Sequence, residues 1–483
     1  MQIPLVSGIR ADSTPDLRTA LPRNYAPVPK QSGISQSYMK PCDGLTQAGT
    51  GPGIGRGGHV WNGQLYRVLG TKLCTVSAGG SAAVLGDIGG SGQVTIDHSF
   101  DRLAIASGNS LWYWSPSIGL VQVTDPNVGV AIDVVWLGGY YVTTDGVSIV
   151  ATNLTSPTTA SPLSYGSAEE DPNPVYAVNR LRGELYAFTR YSIQVFQNIG
   201  STQTGSTQQS FPFQVLNSAT VPRGILGTHT YCPTSDSFFF LGSAPKEAPS
   251  FYIMVPGDSQ TVATRELETI LQGDTDAQRA GVVCERITTK AHEWVFVHLP
   301  DQCLVYDLTG SEVAQDQLWH IRDSGTFDGV STYRGRNWQW CYDQWNVEDP
   351  TSTALGYADS TTSAHWGQSI AWELLTPVIY DEGQDATIHN LELVALPGRV
   401  AFGSSPVIWT SYSYDGEIWS LERSINAGGQ GDRTRRLAWR RQGRTRNYRI
   451  QRFRGTSDAH IPLIRLEADI EPLFTQALDG RPD

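Results

Sequence analysis

The chain has 483 residues, a formal net charge of −12, 40% hydrophobic residues, 49 glycines and 27 prolines. That composition fits an ordered, turn-rich β protein and excludes a disordered or collagen-like chain. The acidic balance argues against nucleic-acid binding over the whole surface, and no run reaches the roughly 20 apolar residues that a membrane-spanning helix needs.

In chain order, residues 1–56 come first, carrying Pro4, Pro15, Pro22, Pro27, Pro29, Pro41 and Pro52 with little periodicity. They are expected to form an extended arm that gains order by lying on another surface. The opening Met1 to Arg10 lacks the basic segment and apolar core of a signal peptide.

Beyond residue 57 the chain repeats one plan of three apolar runs separated by two tight turns. Gly58 to Trp61, Leu65 to Gly70 and Leu73 to Ser77 make the first unit, with Asn62-Gly63 in its first turn. Val94 to Ser99, Leu103 to Ser107 and Leu111 to Ser115 make the second, and Ile132 to Leu137, Tyr140 to Thr144 and Ile149 to Leu154 the third. The fourth spans Val175 to Asn198, where Arg182-Gly183-Glu184 repeats the turn of the first. Phe238 to Leu241 with Phe251 to Val255, and Trp294 to Val297 with Cys303 to Tyr306, carry the next two, and Trp338 to Trp340 marks a fainter seventh. So small a sheet cannot bury both faces alone, so the units are expected to stack radially as a β-propeller of six or seven blades. Thr155 to Pro174 and Gly200 to Ser210 read as long exposed loops, and Ala263 to Gln272 as a helix with Leu267, Ile270 and Leu271 on one face.

From about Trp366 the strands lengthen: Leu374 to Tyr380, Ile388 to Leu396, Val407 to Tyr414, Trp419 to Ile425, Tyr448 to Phe453 and Ile461 to Ala468. The predicted fold is all-β, with an extended N-terminal arm at 1–56, a propeller at 57–365 and a β-sandwich-like domain at 366–483.

Sites for chemistry are sparse. Cys42, Cys74, Cys232, Cys284, Cys303 and Cys341 are scattered, and several lie inside apolar strand patterns, so they read as packed, reduced thiols. The nine histidines never fall at i,i+2 or i,i+4 spacing, which predicts no metal site. His298, at a strand end, reads as structural, and Gly53 to Gly58 reads as a flexible loop rather than a nucleotide cradle. Glu169, Glu170, Asp171, Asp236, Asp343 and Asp359 could meet across a propeller mouth, which keeps a glycosidase or lectin acting on cell-surface glycans as the alternative function.

The sharpest local feature is a band of ten arginines: Arg433, Arg435, Arg436, Arg440, Arg441, Arg444, Arg446, Arg449, Arg452 and Arg454, with no acid among them. Guanidinium groups fork onto carboxylates and phosphates. The band therefore suits contact with a neighbouring subunit or partner protein, contact with DNA phosphates, or pairing within its own domain with Glu417, Glu422, Glu467, Asp469 and Glu471.

Several stretches resemble the packaged-DNA stabilisation proteins of short-tailed bacteriophages, also called tail accessory, tail hub or nozzle proteins. They are Leu65 to Leu73, Gly89 to Val94, His298 to Pro300 followed by Leu304 to Asp307 and Trp319, and Trp439 to Arg444 within the basic band. The resemblance implies a ring, usually of six copies, in the virion tail. It implies attachment to the portal and adaptor rings, closure by a tail needle or plug, and tailspikes or fibres on the outside. DNA would be retained by the ring and would pass through its lumen without sequence-specific binding or membrane insertion. The resemblance further implies no catalytic residue, cofactor or metal, and assembly in the host bacterial cytoplasm.

Overall fold

The computed structural model describes the chain apart from residues 1, 4, 6–7, 12–17, 20–21, 30–36, 171, 202, 205–207, 328–330, 381–384, 446–447, 457 and 474–483. Pro4, Pro15, Asp171, Arg446 and parts of the arm and of the 200–210 loop thus lie outside the described residues.

Seven sheets follow one another along the chain, so the count left open between six and seven is seven. Blade 1 comprises Gly55–Trp61, Gln64–Leu69, Lys72–Val76 and Ala82–Asp87. Blade 2 runs from Thr95–His98 to Gly119–Gln122, blade 3 from Asp133–Leu137 to Ala160–Ser167, and blade 4 from Val175–Leu181 to Phe213–Val215. In blade 5 two short segments, Gly224–Ile225 and Tyr231–Pro233, share the edge of Phe238–Ser243. Blade 6 spans Val283–Thr289 to Trp319–Arg322. Blade 7 takes Arg336–Cys341, Gln344–Glu348 and Ala354–Asp359 from late in the chain and Gly44–Thr50 from the arm. The first hairpins close where expected, with Asn62-Gly63 and Arg182-Gly183 all at positive φ, the geometry of a two-residue turn matched to strand twist.

Two expectations change. Each unit has a fourth, outer strand that the three-run reading omitted; Ala160–Ser167 even lies inside the segment read as a loop. The run Gly53 to Gly58 is not simply a flexible loop, because Gly55 opens the innermost strand of blade 1. A Cβ on Gly55 would stand 1.8 Å from Glu348 Oε2, so only glycine permits that approach.

Every seam between blades has its own apolar core. Val142, Ile149, Leu185 and Phe196 fill the seam of blades 3 and 4, and Phe239, Phe251, Val295 and Trp319 that of blades 5 and 6. Innermost strands are also tied by carboxylates that accept backbone N–H groups from the next blade. Asp97 accepts from Trp136 at 2.6 Å, Asp133 from Val178 at 2.9 Å, and Glu285 from Asn337 at 2.8 Å. Burial pushes the Asp133 carboxyl up to about 6 against the pull of those amides. The seam between blades 7 and 1 has a smaller apolar cluster and a buried ion pair instead. Arg67 Nη1 lies 2.5 Å from Glu348 Oε1, both side chains 1% exposed, and also donates to the Asn337 carbonyl, while Asn337 Nδ2 donates to Glu348 Oε2.

The predicted helix forms at Arg265–Gly273, and two short helices, Asp276–Ala280 and Leu308–Ala314, were not foreseen. All six cysteines are buried and unpaired. Among the described residues no helix is long and apolar enough to cross a membrane.

The C-terminal domain is a two-sheet sandwich. Asp385–Ala395, Leu437–Thr445 and Leu463–Leu473 form one sheet, to which the arm adds Gln2–Ile3, Tyr25–Pro29 and Ser37–Pro41. Trp372–Leu375, Ile379–Tyr380, Val407–Ser413, Arg423–Asn426 and Tyr448–Gly455 form the other. Leu391, Leu437, Trp439, Phe453 and Leu466 pack between them. The sandwich sits on blades 6 and 7: Arg23 bridges Glu373 of the sandwich to Ile321 in blade 6 and Asp323 at its end, and the Thr362 hydroxyl after blade 7 donates to Asp458.

Two consequences are measurable. Arg67→Met leaves Glu348 charged, buried and unpaired and should cost about 3–5 kcal/mol, read as a fall in the urea midpoint, whereas Arg67→Met with Glu348→Leu should recover most of it. Burial lowers the His365 pKa to about 3, so the folded state refuses a proton that the unfolded chain takes up at 6.5. Its stability contribution is full above pH 6.5 and is lost as pH falls toward 3, by about 2 kcal/mol at pH 5. Thermal midpoints should therefore fall less between pH 8 and pH 5 in His365→Gln than in the unsubstituted protein; equal falls would refute this.

Candidate functional site

The arginine band does not form one face. Arg440 and Arg441 with Arg444 lie in Leu437–Thr445 and Arg449, Arg452 and Arg454 in Tyr448–Gly455, strands of opposite sheets, while Arg433, Arg435 and Arg436 lie in the turn before them, so the band crosses the edge of the sandwich. Leu437 and Trp439 point into the core and leave Arg440 and Arg441 outside, and Arg441 sits at φ 56° where the pairing with Asp385–Ala395 shifts register.

Three of the arginines are structural. Arg449 is fully buried, donates to the Gln442 carbonyl at 3.0 Å and to Gln451 Oε1 at 2.8 Å, and lies over the Tyr412 ring; burial lowers its pKa to about 10. Arg452 lies 4.1 Å over Trp419 and donates to Ser411, while Arg454 lies 4.3 Å over Phe327 and pairs with Glu422 at 2.5 Å. Arg433, Arg435, Arg436, Arg440, Arg441 and Arg444 are exposed. Arg436 forks onto Glu392, Arg444 pairs with Asp385, and Arg435 donates to the Asn426 carbonyl. Such exposed pairs hold their arginines weakly. Arg433, Arg440 and Arg441 are exposed and have no acidic partner among the described residues. Of the acids named as internal partners, Glu422 takes Arg452 and Arg454, but Glu467 pairs with Arg465 and Glu471 with His389. Glu392 and Asp385, the partners the sequence reading missed, come from the neighbouring strand and become visible only once its register with Leu437–Thr445 is known.

On the far side of the propeller from the sandwich the charge is opposite. Between Arg102 and Arg180 the sequence has no lysine or arginine but contains Asp125, Asp133, Asp145, Glu169, Glu170 and Asp171. This stretch builds most of blades 2 and 3 and exposes Ile118, Val147, Leu154 and Leu163. Asp133 is buried and Asp171 lies outside the described residues, but Glu169 and Glu170 are exposed and Asp125 and Asp145 half-buried, so this stretch presents acids and no lysine or arginine.

The carboxylates considered for glycan chemistry are dispersed. Asp236 and Asp343 sit in hairpin turns of blades 5 and 7, and Asp359 ends a strand where it accepts from Thr361 and Thr46. None of these lines the central cavity of about 500 Å³, whose walls include the innermost-strand residues His59, Thr95, Asn179, Glu285 and Asn337 and the turn residue His229. His298 is buried and lies 3.5 Å from Glu285, whose carboxyl is held below its usual range by the neighbouring imidazole although burial works the other way. At one end of the channel His59 Nε2 and His98 Nδ1 are 2.6 Å apart beside Asp97, a cluster that histidine spacing along the chain could not reveal because two blades supply it.

A family model described as "Bacteriophage P22 Gp10, beta-propeller" matches residues 1–363, and one described as "Bacteriophage P22 Gp10, beta-sandwich" matches residues 371–471. The tail hub protein gp10 of Salmonella phage P22 is 27% identical over 465 residues, covering 92% of this chain and 94% of that protein. Among solved structures, the WD40 domain of Neurospora crassa Pan2 covers 65% of this chain and 95% of its own at 8% identity and TM-score 0.39. The N-terminal domain of Nup159 covers 71% and 99% at 10% identity and TM-score 0.38.

The division among the arginines can be tested by substitution. Arg452→Met removes a guanidinium from over Trp419 and from Ser411 and should destabilise the sandwich by about 1–3 kcal/mol. Arg440→Ser and Arg441→Ser should leave the thermal midpoint unchanged; equal effects from all three would contradict the division.

Proposed function

We propose, on the premise that this chain belongs to the Bacteriophage P22 Gp10 family, that it is a subunit of the ring forming the hub, or nozzle, of a short-tailed phage tail. At the coarser level it is a structural component of a phage tail. The observation that carries the reading is the end-to-end match, which runs through propeller and sandwich alike and covers nearly all of both chains. The finer role extends the DNA channel below the portal and adaptor, retains packaged DNA, and anchors the needle and tailspikes. The number of copies in this reading is six, and the particle is assembled in the host cytoplasm. The role is scaffolding and needs no catalytic group.

The arginine edge and the acidic stretch of blades 2 and 3 supply a physical basis for a ring. In a head-to-tail contact the same two dissimilar surfaces meet at every interface. Arg433, Arg440 and Arg441, supported by the loosely held Arg435, Arg436 and Arg444, would face the acidic, partly apolar surface of blades 2 and 3 on the next copy. Opposite surface charge of this kind steers association and fixes register more than it adds affinity. A channel wall of like charge would leave DNA mobile for ejection.

Cryo-electron microscopy of particles should find this chain as a ring below the portal, and its absence from the tail would overturn the reading. In solution, Arg433→Ser, Arg440→Ser and Arg441→Ser together should weaken self-association by on the order of tenfold at low salt, measured by sedimentation. Arg440→Glu with Arg441→Glu should be partly rescued by Glu169→Lys with Glu170→Lys on the same chain. Unchanged self-association in the triple variant would remove the arginines from the interface.

A further inference from the structure

The channel end carries a donor set that a scaffolding role does not use. His59 lies in the innermost strand of blade 1 and His98 ends that of blade 2, and with an Asp97 oxygen their ligand atoms all lie within 4.8 Å of one another. We propose that His59 Nε2 and His98 Nδ1, with Asp97 as third donor and water completing the shell, form a binding site for a zinc-class transition-metal ion.

Two imidazoles and a carboxylate select Zn²⁺, Ni²⁺ or Co²⁺ over Mg²⁺ and Ca²⁺, which prefer all-oxygen shells. Bond lengths of about 2.0–2.2 Å place neighbouring donors in a tetrahedral shell roughly 3.3 Å apart. The two nitrogens, 2.6 Å apart, would open by a few tenths of an ångström, and Asp97 Oδ1, 3.9 Å from His98 Nδ1, would close by a similar amount. Both are side-chain rotations.

The surroundings favour this. His59 and Asp97 are held in place by the strands that carry them, at the innermost edge of blades 1 and 2. His98 is 38% exposed on its side chain, which gives the ion a route in and room for water. Asp97 is oriented by the Trp136 amide at 2.6 Å and by Arg180, whose Nη1 lies 2.9 Å from Oδ2 and whose Nη2 lies 3.2 Å from Oδ1. The Oδ1 contact is the longer of the two and is the one that yields to the ion. The nearby guanidinium opposes a cation, so the site binds more weakly than a closed structural zinc site. Because the two histidines come from different blades, the ion joins innermost strands of blades 1 and 2 that are separate sheets, and it stabilises the ring by mass action.

The test uses the full chain without an affinity tag, stripped with chelator. Zinc titrated calorimetrically should bind at one ion per chain and raise the thermal midpoint with increasing zinc, and Co²⁺ should give a visible absorption band reporting a low coordination number. His98→Ala and His59→Ala should each weaken binding at least tenfold and Asp97→Asn less, while Mg²⁺ and Ca²⁺ should not compete. His98→Ala removes a partly exposed ring, and unfolding in chelator should show it folded as before. If His59→Ala does not fold, X-ray absorption on the zinc-loaded unsubstituted protein still decides, by showing two imidazoles or not. No saturable binding would leave the 2.6 Å contact as a hydrogen bond between neutral rings and overturn the proposal. Full binding retained in a His59→Ala/His98→Ala double variant would overturn it equally.

Discussion

A propeller is stable only as a closed ring, because each of its small sheets needs a neighbour on both faces. Here closure is made twice. Gly44–Thr50 from the arm pairs with Ala354–Asp359, so blade 7 cannot be completed without strands from opposite ends of the chain. The adjoining seam is then held by Arg67 and Glu348, buried and bridged by Asn337. A buried ion pair adds little stability over a hydrophobic pair of the same shape, but it tolerates no misalignment. At the one seam with few large apolar side chains, it specifies which blade faces which. The glycine at position 55 follows from the same contact, since the carboxylate occupies the space a Cβ would need.

Elsewhere the blades are ordered by the same chemistry in weaker form. Asp97, Asp133 and Glu285 each accept an amide hydrogen from the next innermost strand, where an unsatisfied N–H would otherwise face the channel. These bonds explain why an acidic chain buries carboxylates near its axis. Apolar packing drives the blades together, and the carboxylates set the stagger between strands that share no sheet.

Much of this was legible in the sequence and some was not, for definable reasons. Inner and middle strands such as Leu103–Ser107 and Phe238–Ser243 are buried on both faces and read as apolar runs. Outer strands such as Gly119–Gln122 and Asp258–Thr261 are largely exposed and carry no such signal, so each unit read as three runs. Leu437–Thr445 was missed because alternation with arginine hides a strand whose inward residues are only Leu437, Trp439, Gln442 and Thr445. The arginines were legible as a cluster and not as a division, because burial of Arg449 and exposure of Arg440 depend on which sheet each strand joins. The His59 and His98 pair was invisible for the same reason: the residues lie in different blades, and only ring geometry brings them together.

The arm links these arguments. Ile3 and Leu5 lie in the sandwich core, Ile9 in the seam of blades 5 and 6, Ala26 and Cys42 in that of blades 6 and 7, and Tyr25 packs at a tilt against Trp372. Arg23 and Asn24 both reach Asp323, some three hundred positions along the chain. A proline-rich segment suits this path, because a chain with few amide donors and restricted φ can cross from one sheet edge to another without being drawn into either. Contacts of such sequence separation form late in folding, since loop closure precedes any gain from them. Completing blade 7 and the first sheet of the sandwich therefore requires strands from both ends of the chain.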